Sequence, residues 1–133
     1  MPAANTAGEQ VLEVVVSGPD DANRLLTISG SANVGVSVTG GQQKTEIWTF
    51  LVGPAFTRRQ FHRALATAAL SSQKQNVQTA PASFEIVINS VDADWDDETG
   101  RVEVRVEVYS TASASMTASV TQMSYWVAIL AQM

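Results

Sequence analysis

Hydrophobic and polar residues alternate along most of this chain. At the even positions from 102 to 120 stand Val, Val, Val, Val, Ser, Ala, Ala, Met, Ala and Val, while the odd positions from 101 to 121 are all charged, hydroxylated or Tyr. A period of two places one set on a dry face and the other on a polar face, which is the mark of a β-strand. Residues 25–39 repeat the pattern, with Leu26, Ile28, Ala32, Val34, Val36 and Val38 alternating with Thr27, Ser29, Ser31, Asn33, Ser37 and Thr39. Further strands are predicted at about 11–17, 45–52 and 84–88.

A single strand over 101–121 would reach about 70 Å at roughly 3.3 Å per residue, well beyond the usual strand length. The chain therefore either folds back near 110–115 or projects from the body. Residues 123–131 are apolar at both parities, as suits a strand buried between layers. Trp48 and Trp126 are accordingly expected in the core.

The punctuation is dense in turn formers. Gly18-Pro-Asp-Asp-Ala-Asn23, Gly40-Gly41 and Gly53-Pro54 each interrupt the alternation. After the last of these, Thr57-Arg-Arg-Gln60 has the spacing of a capping box, in which Thr and Gln side chains satisfy the first helical amides. Phe61, Ala64, Leu65 and Ala68 follow at spacings of three and four, so a helix is predicted over about 58–70, laid on a sheet. Residues 71–82 form a polar connector. Residues 1–9 are small and polar without periodicity and are expected to be a flexible arm preceding one β-rich domain at 10–133. The expected fold is α+β and β-dominated, an antiparallel sandwich or partly closed barrel of six to seven strands with one packed helix. Three strands, a helix and three or more strands is an element order compatible with the small β-sandwich subunits of phage tail tubes and related injection-system tubes, although no motif accompanies it.

Composition narrows the function classes. A chain of 133 residues suits one domain burying roughly 65–70% of its extended-chain surface, without disulfides. The absence of Cys removes thiolate zinc sites and cysteine nucleophiles. A net charge of −5 with no long basic cluster argues against nucleic acid as the main partner. The first residues have neither a basic start nor an apolar core of a signal peptide, and no stretch of 18 apolar residues occurs. A soluble protein is expected, cytoplasmic or within an assembled particle, with no stable membrane insertion. The sole histidine, His62, has no nucleophile setting around it, so no enzyme is expected.

The most site-like segment is 92–103. Counted from Asp92, acids fall at positions 1, 3, 5 and 12, namely Asp92, Asp94, Asp96 and Glu103, the spacing by which an EF-hand loop surrounds calcium. Asp97 stands where that loop needs Gly, and the flanks read as strands. The competing reading is a hairpin whose Asp-Asp-Glu-Thr-Gly turn closes on Gly100 in the left-handed region. Arg58, Arg59 and Arg63 are the basic concentration, and an acidic partner such as Asp97 and Glu98 is expected beside them, within one subunit or across a contact between two. Trp95 is the aromatic candidate for partner contact, including stacking on a sugar.

Residues 25–43 and 108–133 carry no charged side chain. Exposed sheets are normally protected by charge, so these Ser/Thr-rich surfaces are expected to be covered by other strands or by another copy. The expected function is a non-enzymatic, self-assembling structural subunit of a ring, tube or virion-like particle, a homo-oligomer requiring no cofactor. The alternative is a calcium- or carbohydrate-binding β-module using 92–103.

Overall fold

The computed structural model describes residues 2–16, 23–77, 83–113 and 116–132. Seven strands occur in chain order: β1 (Asn5–Val15), β2 (Asn23–Thr39), β3 (Gln43–Val52), β4 (Phe61–Val77), β5 (Phe84–Trp95), β6 (Val102–Ala112) and β7 (Met116–Gln132). They form two antiparallel sheets, one ordered β1-β2-β7-β4 and the other β3-β6-β5. The sheets pack face to face as a sandwich that does not close into a barrel. The turn expected at 18–23 lies, apart from Asn23, outside the described residues, as does the 78–82 part of the connector.

Alternation explains the layers. The even residues of β6, from Val102 to Ala112, are buried against the even residues of β2 from Leu26 to Val38, with Gly30 half-buried, and against β7. Each fully buried Val of this set contributes roughly 1.5–3 kcal/mol relative to an exposed one. The chain does fold back after β6: Met116 N donates to Ser113 O (3.2 Å), and β7 returns in the other sheet. Two crossings between sheets are tied together at this end, where Gly40 N donates to Met116 O (3.1 Å) and Ala112 N to Gln42 O (3.3 Å).

Along β7 the buried parity changes. Met116, Ala118 and Val120 are buried, and then Met123, Tyr125, Val127, Ile129 and Ala131. The switch sits beside the register shift between Asn33 and Val36 of the paired β2, a bulge that re-aims the side chains following it. The remaining residues at the end of β7, among them Trp126, Ala128 and Leu130, therefore lie on the outer face. Trp126 is 45% exposed and is not a core residue, contrary to expectation. Trp48 is half-buried, and its indole N–H donates to Glu46 Oε2 (3.2 Å).

The predicted helix over 58–70 is not formed, and no helix occurs among the described residues. Its start signal is real: Thr57 N donates to Gln60 Oε1 (2.9 Å), and Gln60 N to Thr57 Oγ1 (3.3 Å). The box encloses one turn and the chain then extends as β4. Ala64, Ala66, Ala68 and Leu70 face the core while Leu65, Thr67 and Ala69 are exposed. Small residues fit a period of two as well as one of 3.6, and pairing with β7 from Phe61 to Val77 supplies a ladder that outweighs local helix propensity. With the helix goes the element order that matched tail-tube subunits.

β1 takes in residues 5–9 of the segment expected to be an arm. Residues before it lie along the edge of β3, where Ala4 N donates to Thr49 O (2.8 Å) and Thr49 N to Pro2 O (3.1 Å).

Candidate functional site

Two regions carry the chemistry that the alternation leaves outside the core. The first is the β5–β6 hairpin. Asp96 N donates to Arg101 O and Gly100 N to Asp96 O, both at 2.8 Å. Gly100 has φ of 73°, so this is the closed hairpin turn. The Asp96 carboxylate is held inside it, accepting from Thr99 Oγ1 (2.7 Å) and Thr99 N (3.3 Å). Asp97 and Glu98 are exposed at the tip.

The other acids are arranged by the strands rather than by the turn. Asp92 pairs with Arg105 and Asp94 with Glu103 across β5 and β6. With Trp95 and Asp96 they line a shallow groove of about 460 Å³. Directly opposite like charges such as Asp94 and Glu103 are mutually unfavourable. Among the described residues, no three acids or histidines gather closely enough to hold a metal ion.

Trp95 joins this hairpin to the connection between β3 and β4. Its indole N–H donates to both Phe56 O (3.0 Å) and Gly100 O (3.1 Å), while Phe56 N donates to Gly100 O (2.7 Å). The Arg58 guanidinium lies over the Trp95 ring, 5.6 Å from its centroid, a cation–π contact. Arg58 and Trp95, both predicted as partner contacts, thus meet each other within one subunit. Arg59 on the same turn and Arg63 on β4 are exposed, as is His62.

No protein-family model, curated protein or solved structure matches this chain significantly.

The second region is the outer face and free edges of the four-stranded sheet. Every residue of β1 is exposed, including Val11, Leu12, Val14 and Val15, with Val16 following. From Val11 onward the odd residues of this strand point with Ile28 and Leu26 toward the sandwich side, and Leu12 and Val14 point outward with Thr27 and Leu25. Over 11–15 both faces of β1 therefore expose apolar side chains, interrupted by Glu13 on the inner one. Outward neighbours extend the patch in rows across the sheet: Val14, Leu25, Leu130 and Arg63 form one, and Leu12, Thr27, Ala128 and Leu65 the next. The third row runs Gln10, Ser29, Trp126 and Thr67. Past it the face becomes the uncharged Ser/Thr surface of 31–39 and 117–124.

This apolar surface was not predicted as a site. The available signal was the triplet Val14-Val15-Val16, since three consecutive valines place apolar side chains on both faces of any strand.

Behind the patch, Glu9 is turned toward the core by the register shift between Ala7 and Gln10, and its carboxylate accepts from Gly53 N (3.2 Å). Burial pushes the Tyr125 hydroxyl up to about 12, and the nearby Glu9 carboxylate adds to the effect. On the sandwich side of β1, Arg24 Nε bonds Glu13 Oε1 (3.2 Å).

Proposed function

We propose that this chain is a non-enzymatic structural subunit that assembles with further copies of itself through its four-stranded sheet. The observation that supports this reading is β1, an edge strand of 11 residues with apolar side chains exposed on both faces. A long, flat, apolar edge with unpaired amides and carbonyls is a template for another strand, and proteins that work as monomers blunt such edges with charge, Pro or a covering loop. The β3 edge is treated in that way, because residues 2–4 lie along it. β1 is not.

The charge-free Ser/Thr surfaces fit the same reading. The outer residues of 31–39 and 117–121 continue from the apolar rows on the same face, where the charges of Arg63 and Lys74 stand at the β4 edge and the rows between carry little to oppose close approach of a second protein surface. A ring, tube or particle component has this requirement, since its sheets continue into a neighbour.

Size-exclusion chromatography with light scattering at micromolar concentration tests the reading. A mass that is a multiple of the 14.2 kDa chain is expected; a monomer that persists to tens of micromolar overturns it.

A further inference from the structure

We infer that residues 2–15 form a detachable strap across the two sheets, latched where the Glu9 carboxylate accepts from Gly53 N. Its release makes β2, in place of β1, the outer strand of the four-stranded sheet, while the rest of the sandwich stays folded. This is a property of the single chain and goes beyond the assembly reading.

Burial sets the strap apart. All 11 residues of β1 are exposed, and none belongs to the hydrophobic core or packs against it; within 2–15 only Ala4 is buried. β2, in contrast, puts Leu26, Ile28, Ala32, Val34, Val36 and Val38 into the core and pairs along its other side with β7 from Asn23 to Thr39. Losing β1 therefore costs ladder bonds at the sheet edge and little apolar burial. A segment held in that way opens well below the free energy of global unfolding.

The strap is also a crossing between sheets. Its first residues bond to β3 at Thr49, and from Asn5 it pairs with β2. Between the pairs Ala7–Ser31 and Gln10–Ser29, two residues, Gly8 and Glu9, stand opposite Gly30 alone. Gly8 has φ of 66°, so this is a bulge whose first residue is a left-handed Gly. It turns the Glu9 side chain in to Gly53, just past the end of β3, where Gly53 N donates to Glu9 Oε1 (3.2 Å). The Gly53 carbonyl accepts from Arg101 Nε (2.8 Å), so Gly53 is held by side chains of opposite charge from two elements. A methyl on Gly30 would stand 2.6 Å from the Tyr125 hydroxyl and 3.2 Å from Ala7 O, which places the Tyr125 hydroxyl beneath the bulge.

Glu9 is the side chain that carries the strap across. Glu13 bonds Arg24, and Ser31 Oγ donates to Ala7 O, both within the four-stranded sheet, whereas the Glu9 bond reaches the other one. Unlatching frees the backbone edge of β2 from Arg24 to Asn33 and uncovers the Tyr125 hydroxyl. The closed strap thus presents the apolar residues of 11–15 at the edge, and the open one presents Thr27, Ser29, Ser31 and Asn33.

Hydrogen exchange read by mass spectrometry tests the strap, at a dilution where light scattering finds single chains. In the parent, amides of 5–15 are expected to exchange at least about 100-fold faster than those of 123–131, with almost no dependence on urea, because the opening exposes little surface. Glu9→Ala removes the latch and is expected to speed β1 exchange about 10-fold or more. Gly8→Ala keeps the carboxylate but strains the bulge, with nothing within 4 Å of the added methyl, and is expected to speed β1 exchange about 5-fold. Val106→Ala, in the core on β6, is expected to speed β7 exchange about 10-fold and leave β1 exchange unchanged. Far-UV circular dichroism checks that each variant is folded.

A β1 rate in Glu9→Ala within about twofold of the parent overturns the latch. One rate and one urea dependence shared by β1 and β7 overturns the strap itself, as does Val106→Ala speeding both alike. These readouts come from single chains, so they stand or fall separately from self-assembly.

Discussion

Replacing Trp95 with Phe removes one N–H from a junction that three chain segments share. That N–H serves both Phe56 O and Gly100 O. Gly100 O keeps its bond from Phe56 N, whereas Phe56 O loses its indole donor. A net hydrogen bond contributes about 1 kcal/mol and a carbonyl left dry costs about 1–3 kcal/mol. Phe also covers less surface than Trp and offers a weaker face to the Arg58 guanidinium, about 0.5 kcal/mol at an exposed site. The sum is roughly 2 kcal/mol, or about 6–8 °C in Tm for a domain of this size. Urea unfolding followed by far-UV circular dichroism measures it without relying on the indole that has been removed. In a double-mutant cycle with Arg58→Ala, the coupling should be at most about 1 kcal/mol, because the cation–π contact is the smaller part. A Trp95→Phe variant within 0.5 kcal/mol of the parent would refute the view that this indole holds the β3–β4 connection to the hairpin.

Other perturbations follow from the same geometry. Gly100→Ala places a methyl 2.9 Å from Phe56 O at φ of 73° and should cost about 2–4 kcal/mol. Gly41→Ala has a similar φ of 78° with nothing within 4 Å, so it should cost only about 1 kcal/mol; equal losses in thermal melts would show that the close contact is immaterial. Tyr125→Phe removes a buried hydroxyl that makes no hydrogen bond of good geometry among the described residues and has the Glu9 carboxylate beside it, so stability at pH 7 should change by less than about 1 kcal/mol. The unfolded phenol ionises near 10 and the folded one near 12. The parent should therefore hold its full stability below pH 10 and lose it relative to the Phe variant as pH rises to 12; parallel pH profiles in urea titrations would contradict this.

The strands with strict alternation were legible in the sequence, because β2 and β6 each have one buried face and a two-residue period encodes it directly. β4 was not. Its alanines carry almost no periodic information, and a capping box that does form marks only a single turn before the chain straightens. Ladder formation with β7, some 60 residues further along, decided the outcome, and local spacing holds no trace of it. The hairpin turn at Asp96 to Gly100 was readable from its turn residues, yet the partners of Trp95 were not, because Phe56 and Arg58 reach it from another connection. At the end of β7 the apolar residues at both parities were visible. That one parity faces outward beside an open edge strand depends on which strands flank it, and this is a property of the sheet order.

That sheet order also constrains when the protein can become itself. β7 comes after the other six strands in the chain but lies between β2 and β4, so during synthesis those two strands wait without their common neighbour until residues 116–132 have left the ribosome. The β1–β2 hairpin and β4 belong to one sheet only once β7 is threaded between them, and folding of such non-local topology takes milliseconds to seconds. The two outer strands of that sheet, β1 and β4, thus acquire their fixed relation in the same late event, and a chain halted before residue 116 holds two unjoined parts of one sheet.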